Sequence, residues 1–230
     1  FSEFDQAEAE MAEFDGREAG RIVVGALPLS RSVVLPEALA RFRADRPRYR
    51  VTVIDGPYDE MLLNLRRGDI DVMIGALRDP NRLNDVVQER LFLDHLDVLA
   101  RPGHPLANAA PVPLADLVRN AWAVPRPGTP SRDQFEALFA DNDLPLPDSI
   151  VECGSILLMR ELLARSDLLG CISGQQAAAE VRKGLLVRLE TGVHWPGREI
   201  GLTYRRTWVP TRPQAQLLDH IRGAAAAVAI

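Results

Sequence analysis

The stretch Leu65-Arg66-Arg67-Gly68-Asp69-Ile70-Asp71-Val72-Met73-Ile74-Gly75 decides the fold. Its first residues close a helical run that starts at Tyr58, and Gly68 stops it. Asp71–Gly75 is a short apolar run of the kind that forms a strand buried on both faces. Upstream, Arg50–Asp55 reads as a strand and Gly56-Pro57 as the turn after it. Ser32–Asp45 reads as a helix with Val33, Leu35, Leu39 and Phe42 on one face. Pro36 falls in its first turn, where proline is tolerated. Arg21–Gly25 is the first strand. A β-α-β-α-β run with short connections predicts a parallel sheet with right-handed crossovers.

Downstream the pattern changes. Val86–Arg101 has no helical period and reads as one long extended path, ended by the turn Arg101-Pro102-Gly103-His104-Pro105. A second alternating unit follows: helix Leu114–Val118, strand Ala121–Val124, helix Ser131–Ala140, strand Ile150–Glu152, helix Ser155–Ala164, strand Leu168–Ile172, helix Gln175–Arg182 and strand Leu185–Arg188. Arg198–Tyr204 is another long strand, and a last helix covers about Arg212 to Ala227. The expected architecture is α/β, with two lobes joined near residues 98–101 and 198–204. Two such connections make a hinge, and ligands bind where strand C-termini meet helix N-termini. The expected division is 20–98 plus 202–230 for one subdomain and 99–201 for the other. Residues 2–14 read as a helix end, with Ser2 as cap and Gly16 as stop, so 1–19 is taken as the end of a longer linker helix and its connection.

The chain has 230 residues, 47% hydrophobic and 26% charged, a composition that excludes disordered and membrane-spanning classes. A net charge of -5 excludes a nucleic-acid binder by its own field. All basic residues but Lys183 are arginine. The start at Phe1 reads as a piece of a longer chain. The acidic first residues lack the basic start and apolar core of a signal peptide. Cys153 and Cys171 lie in apolar surroundings without metal-site spacing, which points to reduced, buried thiols and a cytoplasmic protein. His95, His104, His194 and His220 are far apart and read as surface or turn residues.

Enzyme signatures are missing: no GxGxxG after a strand, no GxxxxGK[ST], no HExxH. Gly170-Cys171-Ile172-Ser173-Gly174 has its serine one place late for a nucleophile elbow, so Ser173 reads as a turn or cap residue. Asp69 and Asp71 read as solvated turn carboxylates, and Asp94, His95 and Asp97 as the exposed face of a strand. No catalytic, cofactor or metal residue is assigned. What remains is a set of hydroxyls at strand-to-helix junctions: Ser30, Ser32, Thr129, Ser131, Ser155 and Ser173. Each has the place of an N-cap. Together they also form a set of donors beside free backbone N–H groups, suited to a small polar or carboxylate-bearing molecule.

Gly20-Arg21-Ile22-Val23-Val24-Gly25, Leu35-Pro36 with Phe42 and Pro47, the stretch Leu65–Gly75, and Arg101-Pro102-Gly103-His104-Pro105-Leu106-Ala107 together resemble the effector-binding domain of LysR-type transcriptional regulators. Gly184-Leu185-Leu186-Val187-Arg188-Leu189 continues the match. The resemblance implies two Rossmann-like subdomains in a type-2 periplasmic-binding-protein-like fold. It implies a winged helix-turn-helix ahead of them for promoter DNA, a homodimer or homotetramer, and a small-molecule effector. By position it puts the pocket at Ser30, Arg31 and Ser32, at Gly56-Pro57, at Ala76-Leu77, at Thr129-Pro130-Ser131 and at Ser155. Some carboxylate-sensing relatives have a cation after strand three, where this chain has Ala76. Arg31, Arg78 and Arg132 are the alternatives for that charge, and spacing does not choose among them. Leu27 and Leu29 stand where some members carry threonines, which favours a partly apolar effector, an aromatic or sugar-derived carboxylate.

A solute-binding protein of a transporter is the competing expectation, since it uses the same fold. Phosphate affinity needs clustered cations. In a gel-shift titration, residues 1–230 alone are expected to give only weak, salt-sensitive, sequence-independent DNA binding. A tight footprint on one sequence would refute that.

Overall fold

The computed structural model describes residues 20–109, 111–192 and 195–228. The expected helix at 2–14, the 1–19 segment and His194 lie outside them. In chain order the elements are β1 (Arg21–Ala26), α1 (Val34–Asp45), β2 (Arg50–Ile54), α2 (Tyr58–Arg67), β3 (Val72–Ala76), a 3-10 turn at Pro80–Arg82, and β4 (Val86–Asp94). Then come β5 (Leu96–Ala100), α3 (Leu114–Val118), β6 (Trp122–Val124), α4 (Pro130–Ala140), β7 (Ile150–Glu152), α5 (Ile156–Arg165), β8 (Leu169–Ser173), α6 (Ala178–Arg182) and β9 (Val187–Arg188). β10 (Arg198–Arg205) and α7 (Arg212–Val228) close the chain. No described helix is long and apolar enough to cross a membrane.

Two units result, one running to Leu93 and resuming at Glu199, the other Asp94–Arg198. Both boundaries fall a few residues earlier in the chain than the ones read from sequence. Residues 98–100 lie inside β5, where Val98 pairs with Cys171 and Leu99 with Gly170, so the bend expected there is held in a sheet. The single extended path Val86–Arg101 is likewise two strands, interrupted at His95, and each belongs to a different sheet.

In the first unit the sheet order is β2-β1-β3-β10-β4. β1 pairs parallel with β2 and β3, as the β-α-β-α-β pattern requires. β10 runs antiparallel to β3, so the sheet is mixed. β1 is buried along all but its first residue, the pattern of a strand covered on both faces. On one face α1 packs Val34, Leu35, Ala38 and Phe42 into a cluster with Leu217, Leu218 and Ile221 of α7. On the other, Met61, Leu62 and Leu65 of α2 meet Val23, Ile70 and Met73. Gly68 ends α2 in the left-handed region at φ 86, where a side chain is strained and glycine is not.

The next residues depart from the sequence reading. Asp69 is exposed, but Asp71 is half-buried and its carboxylate accepts the Val23 N–H at 2.7 Å. Burial raises the Asp71 carboxyl above the usual carboxylate range. Asp71 is therefore a strap from the α2–β3 turn to β1. At the start of α1 the helix opens at Val34, after Val33, with no side-chain cap, so Ser32 does not fill that role.

In the second unit the order is β7-β6-β8-β5-β9. β6 is parallel to β7 and β8, while β5 is antiparallel to β8 and β9. Phe135 and Phe139 of α4 meet Trp122 edge-on at centroid distances of 5.1 and 6.1 Å. The indole N–H of Trp122 donates to Leu117 O at 2.9 Å, so no polar atom of that ring is stranded. Met159 and Leu163 of α5 cover the other face, with Leu99, Ala123, Cys153 and Ile172. Residues Gly174–Ala177 form a turn in place of the expected helix start, because Gln176 and Ala177 both donate their N–H to Ser173 O.

Two glycines give a paired test. A Cβ on Gly201 of β10 would lie 2.0 Å from the Glu89 carbonyl oxygen of β4. A Cβ on Gly223, exposed in α7, would meet nothing within 4 Å. Gly201→Ala is expected to destabilise by about 1–3 kcal/mol or more through the forced separation of the strands. Gly223→Ala is expected to stabilise by roughly 0.5–1 kcal/mol. Urea unfolding of both variants measures the two signs.

Candidate functional site

Because β1, β2 and β3 are parallel, their C-terminal ends share one edge of the first sheet. The residues picked from sequence in this unit all close or follow those ends. Ser30 is buried, and its hydroxyl donates to Leu27 O at 2.8 Å, closing the turn after β1. Ser32 is exposed. Arg31 pairs with Asp55 at 2.8 Å, joining the turns after β1 and β2 on the surface. Gly56 and Pro57 are exposed, and Pro57 leads into α2. Ala76 ends β3, and Leu77 donates its N–H to Glu199 O at 2.9 Å.

Arg78 is held differently. Its N–H donates to Gln88 Oε1 and its carbonyl accepts from Gln88 Nε2, both at 2.9 Å, so the β4 amide clasps the backbone. Its guanidinium lies 4.4 Å from the centroid of the Tyr58 ring, a cation–π placement that leaves the charge open. Burial raises the Tyr58 phenol above its ordinary value, partly countered by Arg78. Arg78 has no carboxylate partner among the described residues.

The second unit repeats the arrangement at the ends of β6, β7 and β8. Thr129 caps α4: its Oγ1 accepts the Arg132 N–H at 3.3 Å and donates to Arg126 O at 2.9 Å. Pro130 occupies the first helical position. Ser155 caps α5 by accepting the Leu158 N–H at 3.3 Å. Arg132 is buried and bonded to Glu136 at 2.6 Å, to Glu152 at 2.8 Å and to Pro125 O at 3.2 Å, so its charge is neutralised twice over. Cys153 and Cys171 are both buried free thiols, and burial pushes the Cys171 thiol up, away from reactivity.

One cluster was not legible as a site. Asp94, expected on an exposed strand face, has a side chain only 1% exposed and pairs with Arg198, itself 10% exposed, at 2.6 and 2.7 Å. Both Nε and Nη2 of Arg198 reach Asp94 Oδ2. Nη1 of the same guanidinium donates to Ser131 Oγ in α4. The Ser173 hydroxyl donates to Asp94 Oδ1 and accepts the Gln175 N–H at 3.2 Å. Asp97 is half-buried beside Arg188, 2.7 Å away, with its carboxyl raised by burial. A signal for Asp94 was present: it has the same parity as the buried Phe92, Leu96 and Val98, and a carboxylate on a buried face needs a cation.

A family model for the LysR substrate binding domain matches residues 15–226. The chain is 36% identical over 215 residues to the HTH-type transcriptional regulator GalR of Pseudomonas putida, covering 94% of this chain and 54% of that regulator. The chain thus spans about half the length of that relative. In structure it resembles the cofactor-binding domain of the Cbl transcriptional regulator, with TM-score 0.77 and 21% identity over 92% of this chain and 93% of that one. It also resembles the effector-binding domain of QuiR in complex with shikimate, with TM-score 0.73 and 16% identity over 90% and 98% of the two chains. At those identities the structural likeness speaks for the two-subdomain α/β fold.

The cap at Thr129 is a stability element. Thr129→Ala is expected to lower unfolding free energy by about 0.5–2 kcal/mol. Thermal melts without ligand check it, and an unchanged melting temperature would contradict the capping role.

Proposed function

The chain belongs to the LysR substrate-binding domain family, and on that premise we propose that it senses a small carboxylate effector for a DNA-binding transcriptional regulator. Promoter DNA is bound through a helix-turn-helix that precedes this segment in the whole protein, which works in the cytoplasm as a homodimer or homotetramer. The exposed face of α1 and the free edge of β4 are the surfaces proposed for that assembly. The relatives named above are regulators, which favours this reading over a transporter's solute-binding protein and over an enzyme.

The observation that carries the effector class is the difference among three arginines. Arg31 is engaged by Asp55, and Arg132 by Glu136 and Glu152. Arg78 is fixed through its backbone and ring stack while its charge stays open. A fixed, uncompensated guanidinium suits a carboxylate, which it can meet with two parallel bonds. The turns at Ser30–Ser32, Gly56-Pro57 and Ala76-Leu77, on the same edge of the first sheet, supply the remaining contacts of Arg78's unit in this reading, and Thr129–Ser131 with Ser155 are the effector contacts proposed for the second unit by itself. The half-buried Leu27 in the turn after β1 favours an aromatic or sugar-derived acid, whereas Leu29 is packed into the core of the unit. QuiR, a structural neighbour, is in complex with shikimate, itself a ring carboxylate.

A thermal-shift series with benzoate, gluconate and the neutral benzamide tests the proposal. An acid at a hundred times its dissociation constant adds about 2.7 kcal/mol to stability. At least one acid is expected to raise the melting temperature, benzamide is not, and Arg78→Gln is expected to weaken the acid roughly tenfold to a hundredfold. Equal shifts by benzoate and benzamide would rule out a carboxylate effector at Arg78.

A further inference from the structure

The hydroxyls at the strand ends differ in the direction of their protons. Ser30 donates to Leu27 O, Thr129 to Arg126 O and Ser173 to Asp94. Ser131 is the one whose oxygen is approached by a guanidinium, that of Arg198. Arginine is only ever a donor. The Ser131 oxygen therefore accepts, and its own proton points elsewhere, with no acceptor among the described residues. The nearby positive charge makes that proton a stronger donor.

Arg198 has little freedom to give up this contact. Its Nε and Nη2 are tied to a carboxylate that is almost fully buried. A buried charge with its partner removed is strongly destabilising, so the pair stays formed. The Asp94 carboxylate is in turn oriented by Ser173. Asp94 is the first residue of this unit and Arg198 the last. Ser131 is thus one hydrogen bond from the residue at which the chain leaves the unit, and two from the residue at which it enters.

We propose that Arg198, held by Asp94, is a positioning residue that occupies one lone pair of Ser131 and turns its hydroxyl proton outward, to be donated to an acceptor group of the effector. The contact favours a carboxylate or carbonyl oxygen over a cationic amino group at that place, because the guanidinium strengthens the hydroxyl as a donor and repels a second positive charge. Occupancy at Ser131 is read directly by the ion pair that joins the two ends of the unit. This rests on the effector-sensing reading, but it concerns a different unit from Arg78 and has its own test.

Acetate is the probe, titrated into isotopically labelled protein at constant ionic strength set with sodium chloride, and followed at the Ser131 and Arg132 amide signals. A saturable shift is expected for the unaltered chain. Ser131→Ala should weaken it at least tenfold, while Ser131→Thr, which keeps the hydroxyl, should retain it. The double variant Asp94→Asn/Arg198→Gln removes both charges together and should weaken acetate as much as Ser131→Ala. A second measurement does not depend on that variant's folding. In Ser131→Cys, the thiol beside Arg198 should be alkylated by iodoacetamide with a pKa well below the free-cysteine value of about 8.5. An ordinary thiol pKa, or no saturable acetate shift, overturns the proposal. If benzoate or gluconate binds through Arg78 while the Ser131 amide stays silent to acetate, the effector reading stands and this one falls. If acetate responds at Ser131 while neither acid stabilises the protein, the carboxylate contact at Arg78 falls and the Ser131 contact stands.

Discussion

The Asp94 carboxylate is tolerated in the interior because Arg198 meets it there. Removing two such charges from water costs several kcal/mol per ion, and only tight geometry with further hydrogen bonds offsets it. Both conditions are met: two guanidinium nitrogens on one carboxylate oxygen, and the Ser173 hydroxyl on the other. The pair holds together Asp94 and Arg198, the first and last residues of the second unit and 104 positions apart in sequence, and it gathers Ser173 of β8 and Ser131 of α4 within the same unit. Replacement by apolar side chains would be easier to fold around, but it would orient none of these groups.

The three arginines show how the same residue type is assigned different work by its neighbours. Arg132 is buried between two glutamates and acts as an internal brace for the turns after β6 and β7. Arg31 makes an exposed pair, of the kind that contributes little to stability. Arg78 is immobilised by contacts that leave its charge uncancelled. Rigidity without neutralisation is the combination a binding residue needs, because an anion then meets a guanidinium that has little left to lose in entropy.

Much of the fold was legible because it is written locally. The runs Arg21–Ala26, Arg50–Ile54 and Val72–Ala76 are short, apolar and bounded by turns, and α2 has its expected ends with Gly68 as its stop. Thr129 and Ser155 are caps because a cap is decided within three residues. What was not legible depends on partners far along the chain. The extended path through His95 gave no sign of its division between two sheets. Asp71 looked solvated because its acceptor role depends on Val23, 48 positions away. Asp94 carried the parity of a buried position, but its cation lies on β10. Ser131 was picked from sequence as a hydroxyl at a helix start, and its distinguishing feature, the guanidinium behind it, is equally remote.

The place of β10 has a consequence for how the chain acquires its structure. The strand is inserted between β3 and β4, so the first sheet is interrupted until residues beyond Arg198 exist. Asp94–Arg198, by contrast, is one uninterrupted segment. During synthesis from the N-terminus, the second unit therefore has all its strands before the first unit has its own. Until then β3 and β4 each present an unpaired edge, and the α1 face that α7 covers is bare, the kind of surface that invites misassociation. Closing that gap requires pairing across more than a hundred residues, the slow kind of contact. Of the two units, the one whose synthesis begins first is thus the one completed last.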